Sequence, residues 1–346
     1  MNTLPTACDH KRRTFLKLSG LLGIGAAATA LLPFEKAESV LFRRNVYKVS
    51  KTRTAMGTFV DMTVFHDSRD EAENAMGLAF AEVDRLCGVL TRYGNQSPVC
   101  ELNAENRLDH PGSELRDVIG RSLYFHRETN GAFDITVKPL VDLYQERFAK
   151  GFQPSEAEIE TTIRLIGSER LRFANSSMLL PDTGMGITLD GVAPGYIADR
   201  AAEVLAANGV ANHMVNAGGE IRVGGTAAKG AAWTVAIQDP EKKRGSYQGV
   251  VHLRQGAVAT SGNYEIYYDR EKLFHHIVNG KTGHSPHLSA SVTVMAPTAM
   301  DADILSTAIY VMEPEVGMRF INARPEYECL IIDSQGRAVQ SNHWPS

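Results

Sequence analysis

The order of apolar patterns along the chain constrains the fold more than any other feature of the sequence. Apolar and polar side chains alternate through residues 59–65, which predicts a strand with one face turned toward a core. A helix is expected next, because Ser68 and Glu71 form a capping box and apolar residues then recur every three or four positions as far as Leu90. Strand and helix thus follow each other closely at the start of the folded chain.

Further helices and strands follow in an irregular order. Amphipathic or capped segments predict helices at residues 115–123, 155–166, 196–208 and 298–312. Apolar runs predict strands at residues 232–238, 250–254, 264–268, 289–296 and 327–333. The turn residues Pro181 to Gly184 predict a hairpin. Because helices interrupt a strand-rich chain without regular alternation, we predict an α+β fold in a single domain over residues 45–346.

The N-terminal segment, residues 1–37, is predicted to be a twin-arginine export signal. Lys11-Arg12-Arg13 precedes a diluted apolar run of 15 residues, whereas a membrane-spanning helix needs about 20 strongly apolar ones. Ala28-Thr29-Ala30 offers a cleavage site, with Glu35-Lys36-Ala37 as a weaker alternative. The next cysteine after Cys8 is Cys87, so we expect no lipid anchor. The mature protein is therefore expected to be free in the periplasm.

Charge and motif content exclude several common functions. The chain has 36 Lys and Arg against 40 Asp and Glu, which gives a formal charge of −4 and argues against nucleic-acid binding. Four cysteines among 346 residues are too few for a disulfide-held scaffold. The sequence contains no phosphate-binding Walker loop, no G-x-S-x-G elbow and no H-E-x-x-H zinc motif. The chemistry must therefore come from less common motifs.

Two features of the C-terminal half could carry chemistry. Asp303 and Thr307 are four residues apart on a predicted helix, so they project from the same face as a pair of hard oxygen donors suited to Mg²⁺. Spacing alone also allows Asp303 to be a solvated first-turn residue and Thr307 to be a packing residue. His276 lies where an apolar segment meets a glycine-rich turn, and it could either move a proton or serve as a structural histidine.

Small polar and glycine residues recur in short motifs along most of the chain. In chain order, these motifs are Met56-Gly57-Thr58, Ser97 to Asn103, Gly131 to Thr136, Leu189-Asp190 with Gly195 to Asp199, Asn216 to Glu220, Thr260 to Tyr264, His276 to Gly283, and Ala302 to Ala308. Taken together they resemble the ApbE family of FAD:protein FMN transferases. The resemblance implies an ApbE-like, T-fold-like architecture.

The resemblance also implies a set of site residues. Mg²⁺ would be bound by Asp303, Thr307 and the backbone carbonyl of Ala193, and the catalytic residues would be His276, as the base, and Asp303. Asp199 and Glu220 would orient loops or hold the ribose or the flavin edge. The residues expected to contact FAD are Met56, Gly57, Thr58, Ser97, Asp134, Asp190, Tyr196, Gly218, Gly219, Glu220, Thr260, Ser261, Gly262 and His276.

The implied reaction attaches FMN through a phosphoester to a threonine of an acceptor flavoprotein and releases AMP. The acceptor is expected to be membrane-bound with a periplasm-facing domain, and export is compatible with the branch of the family that serves nitrous oxide reductase assembly. Two departures lie beside the expected site: Pro194 replaces a lysine found in many members, and Asn279-Gly280 replaces the usual Asp-Pro. Because they could weaken transfer, storage of FAD and Mg²⁺-dependent hydrolysis of FAD remain alternatives.

Overall fold

The computed structural model describes most of the chain beyond its N-terminal segment. The described residues are 36–43, 46–94, 96–174, 176–240, 247–262 and 275–345. The predicted export signal lies outside them, apart from Lys36 and Ala37, and so does the strand predicted at residues 264–268. No helix in these ranges is both long enough and apolar enough to cross a membrane.

Strands and helices alternate irregularly along the described chain. The strands are β1 (Lys36–Arg43), β2 (Val46–Ala55), β3 (Thr58–His66), β4 (Arg107–Asp109), β5 (Arg172–Ala174), β6 (Ser177–Leu179), β7 (Asn212–Ala217), β8 (Glu220–Gly224), β9 (Trp233–Gln238), β10 (Tyr247–Leu253), β11 (Gly256–Gly262), β12 (Ser289–Ala296), β13 (Glu328–Asp333) and β14 (Ala338–Gln340). The α-helices are α1 (Arg69–Leu90), α2 (Pro98–Glu105), α3 (Ser113–Glu128), α4 (Lys138–Ala149), α5 (Glu156–Ile163), α6 (Ala193–Ala207), α7 (Ala299–Val311) and α8 (Pro314–Asn322).

Nine of the strands form one sheet in which every neighbouring pair is antiparallel. Their order across the sheet is β1-β2-β3-β7-β8-β11-β12-β13-β14. Successive side chains of a strand point to opposite faces, and the three residues Val60, Met62 and Val64 of β3 are fully buried on one of them. This face is the helical side of the sheet.

Helix α6 packs against both α1 and α7, and all three helices pack against the helical side of the sheet. Helix α1 begins at the predicted cap, since the Ser68 hydroxyl accepts a hydrogen bond from the Glu71 amide at 3.3 Å. Its apolar stripe, including Met76 and Phe80, is buried in the main core. The short β9-β10 pair covers the opposite face, where Val235 lies in a second apolar cluster.

The predicted α+β class is confirmed, and so are most of the predicted elements. The alternating pattern at residues 59–65 corresponds to β3, and the capping box of Ser155 and Glu158 begins α5. Helix α7 follows Thr298, whose hydroxyl accepts from the Asp301 amide. Helix α6 begins at Ala193 rather than at the predicted Tyr196.

The hairpin predicted around residues 181–184 is wrong. Strand β6 ends at Leu179 and pairs with β4 and β5, while residues 180–189 form no strand. The Asn103 side chain explains this difference. Its amide group donates to the Ile187 carbonyl at 2.9 Å and its oxygen accepts from the Ile187 amide at 2.6 Å. A side chain thus makes the hydrogen bonds that a second strand would have made.

Helices α2, α4 and α8 were not predicted from the sequence. All three carry a proline in the first turn, where a missing N–H costs nothing. Helix α8 follows α7 almost directly, although the pattern predicts α7 as the last helix before β13. The first two of these helices connect the loops that surround the site described next.

Candidate functional site

Two tight turns meet at one end of the sheet. Met56 and Gly57 connect β2 to β3 with φ values of 53° and 77°, and Gly218 and Gly219 connect β7 to β8 with φ values of 85° and 127°. The turns are adjacent because β3 pairs with β7. A Cβ atom on Gly218 would lie 2.7 Å from Cγ2 of Thr58. The glycine at this position therefore lets the two turns pack together.

The second turn carries Glu220, the first residue of β8. Glu220 pairs with Ala217, and Ala217 in turn pairs with Val60, so these positions share the helical side of the sheet. The turn is held by the Gly219 amide, which donates to Oδ1 of Asn216 at 2.9 Å. The structure thus places side by side six residues for which the resemblance implies contact with FAD: Met56, Gly57, Thr58, Gly218, Gly219 and Glu220.

Helices α6 and α7 cross at very close range beside these turns. Oδ2 of Asp303 accepts a hydrogen bond from the amide of Gly195 at 3.0 Å. A Cβ atom on Gly195 would lie only 2.3 Å from the carbonyl oxygen of Ala299, so only glycine allows this approach. Asp303 is buried, with 4 % exposure, which rules out the reading of it as a solvated first-turn residue.

A second carboxylate also joins these two helices, but it lies on α6 and accepts hydrogen bonds from amides of α7. Asp199 of α6 accepts hydrogen bonds from the amides of Ala299 at 2.8 Å and Met300 at 2.9 Å, at the start of α7. Arg222 of β8 lies 3.3 Å from the same carboxylate. Burial nevertheless raises the pKa of Asp199 to about 6. We call this arrangement of Asp199, Gly195 and Asp303 the helix clasp.

Thr307 lies one turn after Asp303, near two glycine- and serine-bearing segments. Its Oγ1 is 3.2 Å from Oγ of Ser261 on β11. A Cβ atom on Gly191 would lie 3.1 Å from the same Oγ1, so the segment before α6 runs against Thr307. Ala193 is the first residue of α6. The segment that carries Ala193 therefore runs past the face of α7 that carries Asp303 and Thr307.

Thr260 and Ser261, which are neighbours in one motif, point to opposite faces of β11. Ser261 faces α7, where its hydroxyl contacts the Ser306 hydroxyl at 2.8 Å. Thr260 points to the opposite face and its hydroxyl contacts that of Thr293 at 2.9 Å. Gly262 ends the strand and pairs with Ser291. The side chain of Thr260 is thus not brought to the site, and the remaining motif residues, 263 and 264, lie outside the described residues.

The segment 131–136 approaches the site through the side chain of Phe133. A Cβ atom on Gly191 would lie 3.6 Å from Cε2 of Phe133. Asp134, by contrast, holds the segment itself, because Oδ1 accepts from the Thr136 amide at 2.7 Å and from the Ser168 hydroxyl at 2.6 Å. Asp134 therefore has a structural role in addition to any ligand contact.

Ser97 and Asp190 are tied together by the loop after α1. The Ser97 hydroxyl caps α2 and donates to the Thr91 carbonyl at 2.5 Å. Asp190 accepts from Nε of Arg92 at 2.9 Å, and Nη2 of Arg92 also donates to the Tyr93 hydroxyl at 3.0 Å. Arg92 and the half-exposed Tyr93 were missed in the sequence, although they directly precede the serine-containing motif.

His276 begins a loop that contacts segment 131–136. A Cβ atom on Gly131 would lie 3.2 Å from Cε of Lys281, and one on Gly280 would lie 3.8 Å from Cβ of Asp134. His276 itself is partly buried. Tyr196 is buried at the start of α6, and burial raises the pKa of its phenol. The loop with His276 thus packs against segment 131–136. We call this loop the His276 wall and the junction of α6 and α7 the α6–α7 wall.

Comparisons with known proteins identify the family. The model of the ApbE family matches residues 56–331. An FAD:protein FMN transferase of Escherichia coli strain K12 is 34% identical over 241 residues, which cover 66% of this chain and 68% of that protein. One from Klebsiella pneumoniae strain 342 is 31% identical over 284 residues, which cover 77% and 79% of the two chains.

Solved structures show the same fold. The crystal structure of the ApbE protein from Thermotoga maritima has a TM-score of 0.76 at 27% identity and covers 89% of this chain and 97% of that one. A flavin transferase ApbE from Vibrio cholerae has a TM-score of 0.72 at 24% identity, with coverage of 89% and 98%. The second similarity, at that identity, concerns the fold alone.

Proposed function

The chain belongs to the ApbE family and is an FAD:protein FMN transferase, and on that premise we propose that it transfers FMN from FAD to a threonine of an acceptor protein. In the proposed reaction, the threonine Oγ forms a bond to the phosphorus of FMN. The bond from that phosphorus to the oxygen of AMP breaks, so AMP leaves and FMN stays on the acceptor as a phosphoester. The hydroxyl proton must pass to a base.

The donor atoms at the junction of α6 and α7 suit Mg²⁺. Asp303 and Thr307 offer side-chain oxygens from α7, and the carbonyl of Ala193 at the start of α6 would offer a third donor. All three donors are hard oxygens, and a single carboxylate is typical of a Mg²⁺ site completed by water and phosphate oxygens. Bound there, Mg²⁺ would offset negative charge on the phosphate oxygens.

The residues of this chain would supply alignment and proton transfer. Phosphoryl transfer depends mainly on positioning and on charge stabilisation. The turns at Met56–Gly57 and Gly218–Gly219 allow a ligand to approach the backbone closely. His276 would accept the proton of the acceptor threonine.

The two departures from the family pattern are compatible with this function. Pro194 lies in the first turn of α6, where the amide has no intrahelical partner, so the proline removes no helical hydrogen bond. Asn279 closes the His276 loop, since its side-chain oxygen accepts from the amides of Lys281 at 2.9 Å and Thr282 at 3.3 Å. Each departure thus occurs where the backbone accommodates it.

The compartment and the acceptor complete the proposal. The basic N-terminal segment and its short apolar run support twin-arginine export, so the enzyme would act in the periplasm. Its acceptor would be a membrane-bound flavoprotein with a periplasm-facing domain. Mass spectrometry of proteins from the periplasm would identify that acceptor by covalent FMN, and cytoplasmic retention of the enzyme would contradict the proposed compartment.

The burial of Asp303 within the helix clasp is the observation that carries the proposal. The test combines purified protein, FAD, Mg²⁺ and an acceptor with a threonine-containing flavinylation segment, and it records acceptor mass and free AMP. Asp303→Ala should abolish Mg²⁺-dependent transfer, whereas the same change at the exposed helical residue Asp117 should leave transfer intact. Equal Mg²⁺ dependence in Asp303→Ala and the wild type would refute the assignment.

The same measurement separates the alternatives. Added FMN mass on the acceptor supports transfer. AMP without added mass would instead indicate hydrolysis of FAD, in which water replaces the threonine. Bound FAD with neither product would indicate storage.

A further inference from the structure

The hydroxyl group of Ser285 holds the backbone at the start of the loop with His276, which we call the base of the loop. Oγ of Ser285 accepts from the amide of His275 at 3.0 Å and donates to the carbonyl of His275 at 2.9 Å. His275 is fully buried and Ser285 is 4 % exposed, so water does not compete for these bonds. The residue directly before His276 is thereby fixed on both sides of its backbone.

The side chain of His275 strengthens the same closure. Its Nε2–H donates to the carbonyl of Pro286 at 2.8 Å, since a carbonyl can only accept. Its ring packs edge-on against Tyr310 of α7 at 5.6 Å and against His276 at 6.3 Å between centroids. The base of the loop is therefore connected to the helix that carries Asp303 and Thr307.

The rest of the loop is anchored on both flanks. Ile277 is buried in the main core, and Val278 lies in a separate cluster with Tyr144. The Tyr144 hydroxyl donates to the carbonyl of Gly283 at 2.6 Å. His276 thus sits between a hydrogen-bonded base and two buried side chains, which restricts its backbone to one path.

We propose that Ser285 and His275 form a latch that positions His276 for proton transfer. The proposal rests on the proposed function, in which His276 is the base, and it makes Ser285 and His275 positioning residues rather than catalytic ones. A small displacement of a catalytic group can lower a rate by about 10²-fold. Loss of the latch should therefore lower kcat more than it changes FAD binding.

Ser285→Ala is the informative variant, and Ser289→Ala is its matched control. Ser289 is also fully buried, but its hydroxyl has no hydrogen-bond partner among the described residues. We expect Ser285→Ala to lower kcat by about 10-fold with little change in the KM for FAD. Ser289→Ala should retain wild-type values for both constants. Equal kcat values in the two variants would overturn the latch.

A double-mutant cycle separates positioning from general destabilisation. If Ser285 acts through His276, Ser285→Ala should have no further effect on kcat in a His276→Ala background. Independent, multiplicative effects of the two changes would contradict the proposal.

A measurement independent of transfer tests the latch itself. The imidazole resonances of His276 in the NMR spectrum should shift in Ser285→Ala and stay unchanged in Ser289→Ala. Unchanged His276 resonances in Ser285→Ala would overturn the latch. Shifted resonances together with full activity of His276→Ala would instead refute the role of His276 as base and leave the latch as a structural device.

Discussion

The two walls of the site are held by different kinds of interaction. On the α6–α7 wall, the carboxylates of Asp199 and Asp303 accept hydrogen bonds from amides in the first turns of the opposite helices. On the His276 wall, the hydroxyl of Ser285 and the amide side chain of Asn279 hold a loop through uncharged hydrogen bonds. We therefore expect pH and small changes in side-chain volume to alter the stability of the α6–α7 wall. Changes in the His276 wall should mainly alter the rate of transfer.

The largest effect is expected at the crossing of the two helices. In Gly195→Ala, the new Cβ would lie 2.3 Å from the Ala299 carbonyl oxygen, so the helices must separate. We expect the free energy of unfolding to fall by about 3 kcal/mol, as for other overpacked sites, and Mg²⁺ affinity to fall with it. Urea unfolding and calorimetric Mg²⁺ titration would measure both quantities.

Gly77→Ala is the matched control for this change. Gly77 lies within α1, and a Cβ there would meet no atom within 4 Å. Replacing a glycine inside a helix by alanine should raise stability by about 0.5–1 kcal/mol. A Gly195→Ala variant as stable as Gly77→Ala would contradict the close crossing.

A pH effect of similar size is expected from Asp199. Burial raises the pKa of Asp199 to about 6, above the value in an unfolded chain, although the hydrogen bonds from the Ala299 and Met300 amides and the charge of Arg222 oppose this shift. Between about pH 4 and pH 6, the unfolded state loses this proton first, so the contribution of Asp199 to stability declines as pH rises through that range. The full decline amounts to about 3 kcal/mol.

Asp199→Asn should remove this part of the pH dependence. Unfolding free energies measured at several pH values between 4 and 7 should vary less in the variant than in the wild type. Asp117→Asn, a change at an exposed helical position, should leave the wild-type profile unaltered. Parallel profiles for Asp199→Asn and the wild type would show that the clasp carries no titrating charge.

The smallest effect is expected from Ser261→Ala. The Ser261 hydroxyl contacts Thr307 and Ser306, and its loss should weaken Mg²⁺ binding by about 1 kcal/mol, a typical value for one hydrogen bond. Thr260→Ala on the opposite face should leave Mg²⁺ affinity unchanged. Calorimetric titration of both variants would test which face of β11 belongs to the site, since equal losses would contradict the assignment.

Local patterns in the sequence were sufficient for the elements whose determinants are local. The Ser68 and Ser155 caps and the alternation in β3 depend on residues a few positions apart. The same holds for Asp303 and Thr307, which share a helix face because of their spacing. The ordered motifs also led to the family, because each survives as a recognisable stretch of chain.

Contacts between distant segments could not be predicted in this way. The hydrogen bonds from Asn103 to Ile187, from Arg92 to Asp190, and from the α7 amides to Asp199 each join residues far apart in the sequence. Thr260 shows a different limit, since its motif suggests a ligand contact while the pleat of β11 turns it away. Sequence spacing thus predicts which side chains share an element, and only the fold determines what they face.

For the export proposed above, the position of β1 at the rim of the large sheet bears on where the signal would be cut. Lys36 and Ala37 pair with Thr52 and Lys51 of β2, so this outermost strand already begins within the segment assigned to the export signal. A peptidase that cuts after Ala30 would leave every one of these backbone pairs in place. A cut after Ala37 would shorten the strand by two pairs, so the folded rim favours the earlier cleavage site.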